Sequence, residues 1–243
     1  MIRVAINGFG RIGRIAFREM ITGRDFDIVA VNDLSNAEEL AYLLKYDTNH
    51  RSFHEDEISF DNDNIVIAGK KRVKVLSEAD PSKLPWGDLN IDVVLECSGR
   101  FTKYEDAYKH ITAGARHVVI SAPGKGDMKT IVYGVNDSIL DGSEEVISAA
   151  SCTTNCLAPV LNVIEKNIGI RKGYMSTVHA YTNDQATLDI HHSKGIMARR
   201  GRACAQNIVP ASTGAASAIG KVIPIFFFTW TKPMLSVYGE TTD

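Results

Sequence analysis

The sequence predicts an α/β chain, and three observations carry that prediction. A short apolar run at residues 2–6 opens onto the pattern Gly8-x-Gly10-x-x-Gly13. Further apolar runs of strand length, at residues 28–31, 91–95 and 117–121, recur between amphipathic stretches. After Cys152 the pattern changes to helical spacing, with Cys156, Leu157, Val160, Leu161 and Ile164 apolar at intervals of three and four.

The chain has 243 residues, enough for one large domain or two. Hydrophobic residues at 44% and charged residues at 23% are ordinary for a soluble globular protein. A net charge of −2 gives no electrostatic reason to expect nucleic acid or a membrane surface as partner. No apolar run approaches membrane-spanning length, and Met1 leads directly into a strand pattern rather than a signal peptide. Cys97, Cys152, Cys156 and Cys204 show neither zinc spacing nor a disulfide framework, so a reducing, cytoplasmic location is expected. His191-His192 would need further ligands to hold a metal, and no metal site is expected.

Taken in order, the first strand is followed by the glycine turn and a helix with Ile12, Ile15, Ala16 and Met20 on one face. A second strand then ends at Asn32-Asp33. This is the spacing of a Rossmann-type dinucleotide-binding unit. Gly8 permits the tight turn, Gly10 lets backbone approach a pyrophosphate, and Gly13 lets helix and strand pack closely. The N–H groups of Arg11 and Ile12 would face the phosphates. Asp33 is placed to hold a ribose 2′-hydroxyl, which favours NAD over NADP; it also reads as an ordinary strand-end polar residue. Residues 36–44 read as a helix, and residues 58–76 as short strands of an antiparallel insertion broken by turns. The strands at 91–95 and 117–121 end near Ser98, Gly99 and Ser121, which are plausible cofactor neighbours or simply turn residues.

The run Ser151-Cys152-Thr153-Thr154-Asn155-Cys156, followed by His179-Ala-Tyr-Thr182-Asn-Asp184, supplies a thiol, a histidine and small hydroxyls suited to covalent chemistry on a carbonyl. A thiol at a helix N-terminus feels the positive end of the macrodipole, which favours the thiolate, and a neighbouring histidine could take the proton. Standing alone, the segment would read as a buried structural cysteine.

With Ile6-Asn-Gly-Phe-Gly-Arg-Ile-Gly13, Leu44-Lys-Tyr-Asp47, Thr177-Val-His179 and Pro210-Ala-Ser-Thr-Gly-Ala-Ala216, these segments resemble the phosphorylating glyceraldehyde-3-phosphate dehydrogenase family. The match keeps the family's order and spacing from residue 1 to about residue 224. The resemblance implies an NAD-binding domain over residues 1–150 and the N-terminal part of an α+β catalytic domain over 151–224. It implies that Cys152 attacks the aldehyde of glyceraldehyde 3-phosphate, with His179 as base, and that inorganic phosphate cleaves the resulting thioester. The backbone N–H of Cys152 would steady the oxyanion. By the same resemblance Thr182, Asp184 and Arg200 lie at the substrate phosphate, and Ser151, Thr153, Thr213 and Gly214 line the site for inorganic phosphate. Family members are homotetramers. Erythrose-4-phosphate dehydrogenase, which shares the cysteine segment, is the nearest alternative.

Residues 225–243 depart from the family pattern, as a shifted reading frame or a disrupted gene would. The catalytic domain is therefore expected to be truncated. Its remaining strands are expected to show open edges, and the chain to have little turnover or tetramer formation. A non-catalytic nucleotide-binding fragment is the rival reading. The apolar run at 225–230 is an aggregation hazard if exposed.

Overall fold

The structure, a computed structural model, describes residues 1–171, 173–185, 187, 191, 192, 195, 203, 205–223 and 235–238. The chain divides into two compact units: Met1–Ile131 with Asp137–Ser151, and Val132–Asn136 with Cys152–Asp243.

The first unit begins with β1 (Ile2–Asn7), α1 (Arg11–Thr22), β2 (Phe26–Asn32) and α2 (Ala37–Lys45). The short pair β3 (Tyr46–Asp47) and β4 (Arg51–Ser52) follows, then β5 (Ile58–Asp61), β6 (Asn64–Ile67) and β7 (Lys71–Leu76). The unit closes with β8 (Val93–Glu96), α3 (Tyr104–Ala107), α4 (Lys109–Thr112), β9 (His117–Ile120) and β10 (Val146–Ser148). Eight of these strands form one sheet in the order β10-β9-β8-β1-β2-β7-β6-β5. From β10 to β7 every pairing is parallel. Numbering those six strands by sequence gives the doubly wound order 3-2-1-4-5-6, which reverses between β1 and β8.

Neighbouring residues of a strand point to opposite faces, and the core divides accordingly. Ile6 and Val31 join Phe9, Phe17, Ile28, Leu40 and Leu44 in one buried cluster. Ala5 and Ala30 join Trp86, Ile91, Val94, Val118 and Ile120 in another. Both faces of the sheet are thus covered, as a parallel sheet requires. Asn36 caps α2 by accepting from the Glu39 N–H at 2.9 Å.

The antiparallel insertion expected over residues 58–76 is present, with β5, β6 and β7 paired antiparallel in turn, but it is not all of what this segment does. β7 pairs in parallel with β2 through Ala30, Val31 and Asn32, and is the third strand of the main sheet. Its alternating burial, with Val73 and Val75 inward, suits either position, so periodicity alone did not separate them.

The second unit contains α5 (Cys152–Asn167), β11 (Thr177–His179), β12 (Val209–Ser212), α6 (Ala215–Val222) and β13 (Leu235–Tyr238). α5 packs against α6. Pro159 lies inside α5 and removes one helical N–H. The expected apolar stripe is not what α5 buries: Thr154 and Ala158 are buried, whereas Val160 is 55% and Ile164 37% exposed. An apolar stripe is buried only where another element meets it, and this one lacks such cover among the described residues.

Among the described residues β11 and β12 keep open outer edges, as expected, while their inner edges are covered. β13, from the segment that departs from the family pattern, lies between them in the order β11-β13-β12. It runs parallel to β11, with Tyr238 opposite His179, and antiparallel to β12, with Tyr238 opposite Val209. Backbone pairing asks little of side-chain identity, so an unrelated segment can take this place.

Candidate active site

In the first unit, three adjacent parallel strands end together, because Asn7 is in register with Asn32 on one side and Glu96 on the other. Gly8 leaves β1 with a positive φ of 89°, and its N–H reaches the Asn32 carbonyl at 2.8 Å. A Cβ on Gly8 would lie 2.5 Å from the Ser98 Cα and 2.7 Å from the Cys97 carbonyl carbon. A Cβ on Gly13 would strike the Gly8 carbonyl oxygen and lie 3.1 Å from Ile6 Cγ2. A Cβ on Gly10 would meet nothing within 4 Å among the described residues. Gly10, Arg11 and Ile12 are exposed, and Gly10 caps α1 without any side-chain hydrogen bond. The helix start thus presents backbone N–H groups to open space, the arrangement that suits a phosphate.

Asp33 lies just beyond β2, where its Oδ2 accepts from the Phe9 N–H of the glycine turn at 2.7 Å. Its Oδ1 accepts from the Ser35 N–H at 3.3 Å. Ser98 donates its N–H to Glu96 Oε1 at 2.8 Å, and Gly99 is exposed with φ of 71°. Ser121 continues β9 and gives its N–H to the Glu96 carbonyl at 3.0 Å.

In the second unit, Cys152 is the first residue of α5 and is exposed. Its Sγ lies 3.3 Å from Nε2 of His179, the last residue of β11. His179 Nδ1 is 2.6 Å from the Ala180 carbonyl oxygen. A carbonyl only accepts, so Nδ1 carries the ring proton and Nε2 turns its lone pair to the thiol. Thiol and base are therefore within proton-transfer distance, at a helix start.

The remaining predicted residues distribute as follows. Ser151 immediately precedes Cys152, and Thr153 follows it as the second residue of α5. Thr182 donates its N–H to Gln185 Oε1 at 2.8 Å in the turn after β11; Asp184 shares that turn, but its side chain lies outside the described residues. Thr213 Oγ1 accepts from the Ala215 N–H at 3.2 Å, and Gly214 caps α6. β12 leaves the sheet opposite Leu235, whereas His179 lies opposite Tyr238, so the two strand exits are about 10 Å apart along β13. Arg200 and His191's neighbours 193 and 194 lie outside the described residues, as does Cys204. Among the described residues no cluster of His, Cys, Asp or Glu could hold a metal ion, and no helix is long and apolar enough to cross a membrane.

Residues 2–104 match the family model described as glyceraldehyde 3-phosphate dehydrogenase, NAD binding domain. Residues 151–229 match the one described as glyceraldehyde 3-phosphate dehydrogenase, C-terminal domain. The chain belongs to the glyceraldehyde-3-phosphate dehydrogenase family. Over 224 residues it is 57% identical to the glyceraldehyde-3-phosphate dehydrogenase of Clostridium acetobutylicum and 58% to that of Clostridium pasteurianum, covering 92% of this chain and 66% of each relative. The Mycoplasma pneumoniae enzyme is 54% identical over 222 residues, covering 91% of this chain and 64% of the relative. The chain thus spans about two thirds of the length of the curated relatives it matches.

The first unit is an NAD-binding domain, and the matched interval takes in the glycine turn, Asp33, Ser98 and Gly99, while Ser121 falls beyond it. Its residues fit the cofactor: the open space over Gly10 is what a closely approaching pyrophosphate needs. Sequence reasoning passed over Asp47. Its side chain is 6% exposed, lies 3.3 Å from the Arg11 guanidinium, and accepts the N–H groups of Asn49 and His50 at 3.0 Å. Burial pushes the Asp47 carboxyl up, but the His50 N–H and ring, the Asn49 N–H and Arg11 outweigh it and hold the group well below the usual carboxylate range. The Leu44-Lys-Tyr-Asp47 segment marked the place without revealing that Asp47 anchors the first residue of α1.

Proposed function

We propose that the chain carries the chemistry of a phosphorylating, NAD-dependent glyceraldehyde-3-phosphate dehydrogenase. The observation that carries this reading is the 3.3 Å approach of Cys152 Sγ to His179 Nε2, with Nδ1 tied to the Ala180 carbonyl. His179 takes the thiol proton, the sulfur adds to the aldehyde carbon of glyceraldehyde 3-phosphate, and the imidazolium returns that proton to the new alkoxide to give the hemithioacetal. The hemithioacetal hydroxyl then gives its proton to His179 as the carbon is oxidised to a thioester on Cys152. NAD, when bound, accepts the hydride released in that oxidation. An oxygen of inorganic phosphate attacks the thioester carbonyl, Cys152 leaves as thiolate, and an acyl phosphate departs.

Sulfur suits both halves, since it adds readily to an aldehyde and leaves readily from an acyl group. Thr182, Asp184 and Arg200 are proposed to hold the substrate phosphate. Ser151, Thr153, Thr213 and Gly214 are proposed to receive inorganic phosphate. Gly8, Gly10, Arg11, Ile12, Gly13, Asp33, Ser98, Gly99 and Ser121 are proposed to receive NAD. A cytoplasmic location belongs to the same proposal; homotetrameric assembly is the family's habit, against which the departure of the chain's last segment from the family pattern weighs here.

Purified chain should reduce NAD only when glyceraldehyde 3-phosphate and phosphate are both supplied. Cys152→Ser should abolish the reaction, and His179→Ala should slow it by about a hundredfold or more. Reduction of NAD that persists in Cys152→Ser would overturn the assignment. NAD binding without turnover would support the second reading, a nucleotide-binding chain without catalysis, which the chain's departure from the family match after residue 229 favours.

A further inference from the structure

Beneath the strand ends that carry the glycine turn lies a chain of buried polar side chains that the mechanism does not use. Asn32, Asn7 and Glu96 are lateral partners on β2, β1 and β8, and are 4%, 3% and 1% exposed. His110 on α4 and Trp86 extend the chain and are fully buried. Each hydrogen bond has a sense that can be assigned. An indole N–H only donates, so Trp86 Nε1 gives its proton to His110 Nδ1 at 2.9 Å. The His110 ring proton is therefore on Nε2, which donates to Glu96 Oε2 at 3.0 Å.

From the other side, Asn32 is fixed by backbone. Its Oδ1 accepts from the Glu78 N–H at 2.9 Å, and its Nδ2 donates to the Glu78 carbonyl at 2.8 Å. The same Nδ2 donates to Asn7 Oδ1 at 2.7 Å, and Asn7 Nδ2 in turn donates to Glu96 Oε2. Two runs of donors, one starting at Trp86 and one at Glu78, thus converge on Glu96. The Ser98 N–H and hydroxyl take the other carboxylate oxygen. Only a group that accepts on both oxygens can stand where these runs meet.

Resting on the reading of the first unit as the NAD site, we propose that Glu96 is a positioning residue for the cofactor. It holds in register the strand ends that continue into Gly8, Asp33 and Ser98. The direction lock makes the proposal specific. An amide at position 96 must turn a donor toward Ser98 or toward Asn7 and His110. Neither run can reverse while Trp86 and Glu78 fix its ends. The strand ends would then part at the places where the pyrophosphate, ribose and nearby backbone are to be matched.

The test measures NAD affinity by titration calorimetry on the full chain. Glu96→Gln should weaken binding tenfold or more. Adding Trp86→Phe removes the indole donor and lets the His110 proton move to Nδ1, so that Nε2 accepts from the amide and only the Asn7 Nδ2 donor, still fixed from Glu78, opposes it. Glu96→Gln/Trp86→Phe should therefore bind NAD more tightly than Glu96→Gln alone. A general loss of stability would only deepen with the second substitution. Wild-type affinity in Glu96→Gln, or no recovery in the double variant, overturns the proposal. If Glu96→Gln alone fails to fold, recovery of folded protein in the double variant counts as the same rescue, and its absence as the same refutation. Backbone amide shifts of Gly8, Asp33 and Ser98, recorded without ligand, should move in Glu96→Gln and return in the double variant. Failure of the unsubstituted chain to bind NAD would refute the cofactor reading separately, leaving those shifts to decide the role of Glu96.

Discussion

Alanine at each of the three glycines of the nucleotide turn should fail in a different way. At Gly8 the methyl group would lie 2.5 Å from the Ser98 Cα, about 1 Å inside an ordinary carbon–carbon contact. Both partners are backbone, so no rotamer change relieves the overlap. The positive φ of 89° adds about 1 kcal/mol for a side chain forced into that region. Displacing the two strand exits adds about 2 kcal/mol, in line with other overpacked sites. Gly8→Ala should therefore lose about 3 kcal/mol, or roughly 10 °C of melting temperature for a chain of this size. Gly10 has a negative φ and nothing within 4 Å of a Cβ, so Gly10→Ala should change stability by less than about 0.5 kcal/mol. Its methyl would instead stand in the space assigned to the pyrophosphate and weaken NAD binding by about tenfold or more. Thermal unfolding and NAD titration on both variants separate the two effects. Equal destabilisation by the two substitutions, or wild-type NAD affinity in Gly10→Ala, would refute the division of roles.

Other perturbations have equally definite outcomes. Burial pushes the Cys97 thiol up to about 11, with a Ser121 hydrogen bond opposing and Glu96 reinforcing, whereas Cys152 is exposed. Iodoacetamide at pH 8 should thus modify Cys152 and spare Cys97 until the protein is unfolded, as peptide mass mapping would show; early Cys97 labelling contradicts this. Because the Asp47 carboxyl is held below its unfolded value, its contribution is complete above about pH 4 and is lost as pH falls toward the depressed folded value. Asp47→Asn should cost about 1–2 kcal/mol at pH 7, and the difference should shrink in acid; a gap that stays constant to pH 2 refutes the assignment. Arg18, 7% exposed, donates to the carbonyls of Leu44, Lys45, His50 and Arg51 and lies 5.1 Å from the Phe53 ring centre. Arg18→Lys keeps the charge but loses the planar fork, and should lower stability by about 2 kcal/mol in denaturant unfolding; an unchanged midpoint would argue against it.

The legible parts of the chain were those whose signal is local. The strand, glycine turn and helix at residues 2–22 announce themselves by a change of period around three glycines. Cys152 and His179 could be nominated by residue type, but their approach depends on the pairing of β11, which no local pattern encodes. The second, parallel pairing of β7 with β2 was not legible because Val73 and Val75 alternate in the same way at a hairpin or in a main sheet. α3 and α4 run only four residues each, too short for a helical period. β13 is only four residues long, and although Val237 and Tyr238 are β-prone, its place between β11 and β12 is set by pairing partners that no local pattern names. Glu96, Asn7 and Asn32 escaped notice because polar residues at strand ends look like the start of a turn. What marks them is register: the three fall side by side only once the parallel pairing is known.

The hydrogen bond from the Phe9 N–H to Asp33 has a bearing on cofactor engineering. The carboxylate that would discriminate against a 2′-phosphate is also a strut of the loop proposed to cradle the pyrophosphate. Exchanging Asp33 for a neutral residue to admit NADP would slacken that loop along with the selectivity filter. Both dinucleotides would then bind poorly, and a switch of preference would need a substitute acceptor for the Phe9 amide as well as a cation for the added phosphate.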